Sequence, residues 1–568
     1  MTLTKTGVKV ASFGAVAALT LAACGGSSSP GTSSSSAAPA GNKGGTLNVL
    51  MIADFEHLDP QRNYVSDALN FGSRLLYRSL TGYKSVPGKA GSELEPDLAT
   101  DLGTPSNGNK TWVFTIRDGV KYQDGTDVTC ADLKYGIERS FSDQITGGPS
   151  YAKDYLGGNS STYKGPYVDK SADGLTSVTC DGKKVTFQLN RAIGDFNYTV
   201  SLPTFSPVPA AKDTNIKYDN VVWSTGPYQI QTYNRDKNMI LVRNKSWDES
   251  TDPIRKAYPD TINVTFGIDG PTIDARLKAD SGDDQSAVML DSTIQGENLS
   301  AFLADPALKS RISSGFDGFV RYLAINTAKV TDVKVRQAIQ LAINKKSYRG
   351  TRGGEQAGAY ATSTITPALS SHKDFKDRAT DNPEGDPAAA TALLAADNVT
   401  APVALKLDFA NTATNAKSAA SFKEGLERVA LFKVTLNAIN PDVYYDTIGK
   451  TATQGDLSLA GWGPDWPSGS SVIPPLFDGR QIKPEGNQIF SQLNDPAVNS
   501  GIDAANAETD LTKQATMWGD LDQMVVVDKA AVIPLIYGTT NQMVGSKVKG
   551  AFLHAFYGEI DMATLSVA

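Results

Sequence analysis

Histidine and cysteine are scarce: the 568-residue chain holds three of each. His57, His372 and His554 stand far apart in unrelated contexts. There is no HExxH pair, GxSxG elbow, P-loop or CxxC, so the local signatures of zinc proteases, serine hydrolases, nucleotide binding and dithiol chemistry are missing. The chain therefore reads as a non-enzyme, with no metal and no cofactor expected. No block of Lys or Arg offers a nucleic-acid footprint, and the net charge is −7. Beyond the N-terminus no apolar run approaches the ~20 residues that cross a bilayer.

What is present at the N-terminus is a targeting segment. Lys5 and Lys9 precede an apolar run from Val10 to Ala23, followed by Cys24. The run has signal-peptide proportions. Leu21-Ala22-Ala23-Cys24 resembles a bacterial lipobox, which places a signal peptide over 1–23 and a lipid on Cys24; an ordinary secretory signal with a chance cysteine is the alternative. The expected location is the extracytoplasmic face of the cell membrane, held by that anchor. Residues 24–44 are mostly Gly, Ser, Ala and Pro with almost no charge. Such a tether cannot bury a core and has a coil-like reach of about 25 Å. With Cys24 assigned to lipid, Cys130 and Cys180 remain. An oxidising compartment makes a bridge between them plausible; two buried free thiols are the other possibility.

From Gly45 the pattern is that of an ordered protein. Thr46–Leu50 alternates like a strand, and residues 68–80 carry helical spacing. Lys110 to Tyr122 reads as a hairpin, with Trp112, Phe114 and Ile116 on one face and a turn at Asp118-Gly119. Thr129 to Asp132 resembles a capping box before a helix whose apolar face is Leu133, Ile137 and Phe141. Residues 185–189, 239–243 and 262–268 alternate as strands. Asp332 caps a helix with Val335, Ile339 and Ile343 on one stripe, and Asp386-Pro387 opens an Ala-rich helix. Strands and helices mix without a regular β–α period, which argues for mixed α/β domains and against a barrel.

The stretch Ala460-Gly461-Trp462-Gly463-Pro464-Asp465-Trp466-Pro467 sets two indoles around one carboxylate. Leu457 and Leu459 upstream mark a strand running into this loop. One reading makes the indoles core aromatics and Asp465 the cap of a tight turn. The other makes the strand end a binding edge and Asp465 the partner of a positive charge.

Several stretches together resemble the extracellular solute-binding proteins of ABC importers, in the oligopeptide and dipeptide class. They are Gly44 to Val49 with Leu58-Asp59-Pro60, Thr111 to Gly125, Val128 to Phe141, Ser224 to Asp248, Tyr322 to Ser347, and Ala460 to Pro467. The resemblance implies an α/β fold of periplasmic-binding-protein type: two lobes with a hinge, plus an inserted domain. Domain I would comprise 45–82, 208–318 and 538–568, domain II the insertion 83–207, and domain III residues 319–537. The hinge would lie near 318 and 538. It further implies that Asp465 pairs with a peptide's α-amino group, and that the strand Leu459, Ala460, Gly461, Trp462 bonds the peptide backbone, with Trp466 beside it. A position that is basic in some members is Leu459 here. The implied partners are a small peptide, a membrane permease and its ATPases, with the binding protein itself a monomer. A different solute on the same fold, such as a metal chelate or a sugar, is the alternative.

Overall fold

Hydrophobic alternation decides where the first strands fall. In Thr46–Leu50, Leu47 and Val49 are fully buried. The strand pairs in parallel with Thr261–Thr265 on one side and Ala287–Met289 on the other. The hairpin of Tyr228–Asn234 and Asn238–Arg243 completes a five-stranded sheet. The computed structural model describes residues 41–567, so the expected signal peptide, Cys24 and most of the tether lie outside the described residues. The core against this sheet draws on three separated stretches, residues 47–77, 208–290 and 544–567.

A second sheet has six strands, in the order Gly358–Tyr360, Val532–Met543, Ile312–Ile325, Leu457–Trp462, Val403–Ala410 and Phe432–Ile439. Its two faces bury different cores. Val320, Tyr322 and Ala460 point to one, with Tyr444 and Trp518. Leu323, Ile325, Leu457 and Leu459 point to the other, under the helices Val333–Ala342 and Ala413–Glu427. This is the period-two alternation of a strand buried on both sides.

Two strands run from the first core into the second sheet. Ile312–Ile325 and Val532–Met543 pair antiparallel along most of their length. At one end Met543 joins a cluster with Leu50, Ala287 and Met289. At the other end Val320 to Ala324 lie inside the second sheet. The register shifts between Phe316 and Val320, where Gly318 has φ +82°, a conformation that favours glycine.

The third body is an antiparallel sheet of Thr104–Ser106, Thr111–Thr115, Lys184–Gln188 and Val178–Asp181. The helix Cys130–Arg139 packs on it, opened by the reciprocal Thr129/Asp132 capping box. Cys130 and Cys180 are joined by a disulfide. The mixed α/β architecture, two lobes with an added domain, is thus the one expected.

Two local expectations fail. The hairpin over 110–122 does not form. Thr111–Thr115 pairs with Lys184–Gln188 instead, while the Tyr122 amide donates to the Thr126 carbonyl in a loop at 2.8 Å. Trp112, Phe114 and Ile116 do share the buried face, but their partner strand is distant in sequence. The helix expected over 68–80 is Ser66–Leu75. It stops because the Leu76 carbonyl accepts from the Thr225 and Gly226 amides at 3.0 and 2.9 Å, rather than from another helical turn.

Buried ion pairs fasten the third body to the first lobe. Arg139 of the capped helix is fully buried and gives Nη1 and Nη2 to the Asp59 carboxylate at 2.8 and 2.6 Å. Asp97 accepts from Arg78 at 2.6 Å and from Arg255 at 2.8 Å, and Arg255 also holds Asp252 at 3.1 Å. Removing one partner strands a buried charge, at a cost of about 3–5 kcal/mol. Asp59→Ala is therefore expected to lower unfolding stability by about that amount. Denaturant unfolding of both proteins at neutral pH measures it; a change under ~1 kcal/mol would show that the pair is not what joins the two bodies.

Candidate functional site

The strand Leu457–Trp462 ends where Gly463-Pro464 turns the chain away from the sheet. Both indoles then tie the loop down. Trp462 Nε1 donates to the Ser471 carbonyl at 2.9 Å, and Trp466 Nε1 donates to Ser470 Oγ at 2.8 Å. Ser471 Oγ returns a bond to the Trp466 carbonyl at 2.6 Å. At Gly463 a Cβ would stand 2.7 Å from the exposed Phe319 ring and would push it aside.

Held this way, Asp465 faces a cleft of about 110 Å³ lined by Tyr64, Asp317, Phe319, Phe556 and Tyr557 among others. Its carboxylate accepts from the Tyr64 hydroxyl at 2.5 Å and from the Tyr151 hydroxyl. Tyr64 lies two residues before the helix Ser66–Leu75 of the first lobe; Tyr151 opens the helix Tyr151–Tyr155 of the third body. One carboxylate thus joins three parts of the molecule. Among the described residues its hydrogen bonds go to these two phenols and to no amide of its own turn, so it does not act as a turn cap. Burial pushes its carboxyl above the usual range, while the bonds from Tyr151 and Tyr64 pull it back.

The other residues expected at the site divide. Trp466 does not line the cleft. It is 1 % exposed and packs edge-on to Tyr151 at 4.7 Å, within the core of the third body. The side chains of Leu459 and Ala460 are buried on opposite faces of the sheet, because a strand between two cores has no free face. The Leu459 carbonyl is taken by the Tyr444 hydroxyl at 2.7 Å. The backbone edge remains of interest. Leu457–Trp462 is paired along its whole length with the strand Ile312–Ile325 but with Val403–Ala410 only at Leu457 and Ser458. From Leu459 onward its second edge has no strand neighbour among the described residues. Gly461 and Trp462 are half-buried there.

Tyr64, Tyr151, Asp317 and Phe319 had no signal in the sequence. They come from segments up to hundreds of residues apart and belong to no local motif. The first lobe carries crowded carboxyls in the segments of the cleft-lining Ser66 and Tyr557. Burial and the charge of Asp291 push Asp67 up to about 6. Burial, then Asp67 and Asp291, raise Glu559 well above its ordinary value. The Asp291 carboxylate is capped by the Ile52 and Ala53 amides at 2.9 Å.

A carboxyl whose pKa is raised by folding binds protons more tightly folded than unfolded. Its ionised form therefore weakens the fold above the unfolded pKa, and the effect disappears as pH falls through the folded value. Asp465→Asn is thus expected to unfold at pH 7 no more easily than wild type. If Asp465 were a turn cap instead, the variant would lose about 1 kcal/mol. Denaturant midpoints at pH 7 and pH 4 separate the two.

Against this geometry, comparison with known proteins is informative. The model of the family described as bacterial extracellular solute-binding proteins, family 5, middle part, matches residues 93–484, more than half of the chain. The heme-binding protein A of Haemophilus influenzae is 24% identical, over 96% of this chain and 97% of that protein. The oligopeptide-binding protein OppA of Bacillus subtilis is 23% identical, over 94% and 95%. A solved structure, the clavulanic acid biosynthesis oligopeptide binding protein 2, superposes with a TM-score of 0.86 at 32% identity, covering 94% of this chain and 97% of that one. With its architecture shared nearly end to end, the chain belongs to family 5 of the bacterial extracellular solute-binding proteins, the binding subunits of ABC importers.

Proposed function

We propose that this protein captures short peptides between its two lobes, pairing their α-ammonium group with Asp465, and delivers them to a membrane permease driven by separate ATPases. The observation that carries the reading is the set of partners of Asp465. A carboxylate facing the cleft is hydrogen-bonded, among the described residues, only by hydroxyl donors from two other segments. An ammonium group offers the same oxygens up to three donors and a full charge. The acidic surroundings of Asp67, Asp291 and Glu559 favour a cation at the same end. The strand edge beyond Leu459, whose own carbonyl Tyr444 already occupies, fits an extended backbone added as a further strand, which binds peptides regardless of side chain. Two relatives named for oligopeptides lend support.

In this reading domain I is 45–82, 208–318 and 538–568, domain II 83–207 and domain III 319–537. The three-part core of the first lobe and the two strands that pass into the second sheet support that division. Closure would bend these strands near Gly318 and Gly538, where the register shifts and a Cβ at Gly538 would meet Asp317. The protein acts as a monomer, tethered through a lipid on Cys24.

A solute other than a peptide is the second reading, favoured by the relative named for heme. Mass spectrometry of material released from the denatured protein separates the two.

Breaking a buried charge pair costs about 3–5 kcal/mol, so Asp465→Asn should bind peptides roughly 100- to 3000-fold more weakly. N-acetylated peptides should lose a similar factor on wild type. Affinity should also fall on acidification, because the raised carboxyl of Asp465 is protonated before an ordinary one and then cannot pair with the ammonium. Calorimetry across pH with free and acetylated peptides tests all three. Equal affinity in every combination would return Asp465 to a structural role.

The anchor has its own test. Intact mass should place the mature N-terminus at a lipid-modified Cys24, and Cys24→Ser should leave the detergent phase. A single acyl chain holds only marginally, so two or more are expected.

A further inference from the structure

The core of the third body contains a side chain from another part of the molecule. Its buried residues come from 80–205, between the first-lobe stretches 47–77 and 208–290, and to these is added Trp466 of the second lobe. The indole is 1 % exposed and stands edge-on to Tyr151 at 4.7 Å. Its Nε1 donates to Ser470 Oγ at 2.8 Å, and Ser470 Oγ donates in turn to the carboxylate of Asp195. Asp195 is a fully buried residue of the third body. Burial pushes its carboxyl up, and the neighbouring side chains that oppose this push are Ser470, Ser468 and Trp466, all of the second lobe.

The exchange is reciprocal. Asp465 of the second lobe takes the Tyr151 hydroxyl of the third body; Asp195 of the third body takes the Ser470 hydroxyl of the second lobe. Around them the two bodies approach closely. Asn109 Nδ2 donates to the Ala507 carbonyl at 2.9 Å, a Cβ on Gly194 would collide with the Glu508 carbonyl oxygen, and Leu511 packs on the same core. A buried carboxylate without donors is costly. Neither carboxylate can leave this interface unless water or another donor takes over.

The two faces of the third body are built differently. Toward the first lobe it is held by the chain itself, which enters from that lobe and returns to it, and by the buried Arg139–Asp59 pair. Toward the second lobe the bonds have neutral donors, and the chain reaches that lobe only through the first. When the lobes separate, the second face is the one that parts. The Trp466 indole must then be drawn out of the core it fills.

We infer that the third body is a latch for the second lobe: Trp466 seats in its core when the lobes close and is withdrawn when they open, and Asp195, acting through Ser470, is a positioning residue for the loop that carries Asp465. The inference goes beyond the peptide reading and does not rest on it, because the latch uses no atom of the ligand.

The test replaces the six tryptophans by fluorotryptophan and reads the solvent exposure of each fluorine resonance from its shift between water and heavy water. Trp466→Phe identifies the resonance concerned. Asp195→Ala should move the closing equilibrium about 10- to 100-fold toward the open form, the worth of a hydrogen bond to a charged group, and Trp466 should become more exposed than in wild type. Asp195→Asn keeps an acceptor for Ser470 and should stay near wild type. Trp112 and Trp518, 2 % and 0 % exposed in the cores of the third body and the second lobe, should not change, which separates opening from unfolding. If Asp195→Ala does expose them, Ser470→Ala is judged in its place by the same criterion. Trialanine should return Trp466 of the variant to its buried position. Trp466 equally shielded in wild type and variant, with and without trialanine, overturns the latch. If trialanine does not bind wild type, the peptide reading fails, and the comparison without ligand judges the latch by itself.

Discussion

A carboxylate drawn out of water must be met by donors, and in this protein that requirement falls on Asp465. Its neighbours in sequence cannot meet it, because the loop around it is occupied in tying down two indoles. The donors come instead from Tyr64 and Tyr151, one from each of the other bodies. That single constraint makes the site a property of the whole assembly. Moving the second lobe away from the first would leave Asp465 with water or with a ligand. The raised carboxyl pKa records how incompletely two neutral phenols replace solvent. A ligand cation improves on them by supplying charge as well as hydrogen bonds.

The rest of the architecture divides into what is fixed and what can bend. Tyr64 and Tyr151 are fixed relative to each other, since Arg139–Asp59 and the Arg78–Asp97–Arg255–Asp252 network join their two bodies through buried pairs. Such pairs are poor sources of net stability but strict about geometry. Asp465 belongs to the other lobe, joined by the two strands that share a register shift. A ligand that bound at Asp465 as proposed would therefore compete directly with the two phenols. A binding site built this way is expected to be locally unfavourable on its own, which is the usual cost of function in a fold selected for more than stability.

How much of this could be read from the chain follows from how far each interaction reaches. The capping box at Thr129, the caps at Asp332 and Asp386 and the strand at Thr46 are local, and the structure has them where the pattern put them. The strand returning to Thr111–Thr115 was misplaced because its true partner lies beyond the disulfide loop, and alternation reports a face, not a partner. The same limit governs the site. Trp462, Gly463 and Asp465 form a recognisable cluster, but Trp466 has the same local look and is a core residue of another body. Nothing near Tyr64 or Tyr151 marks them, since what they do is defined only by a carboxylate more than three hundred residues away.

Charge on the first lobe is kept in another way. Burial raises the pKa of Asp67, Asp291 and Glu559, and neighbouring carboxylates add to that push at Asp67 and Glu559. Crowded acids in surroundings of low dielectric repel one another more strongly than they would in water, and a cation brought near them would relieve that cost. In the peptide reading proposed above an ammonium group is such a cation and an acetylated amine is not, so discrimination between the two needs no recognition of side chains.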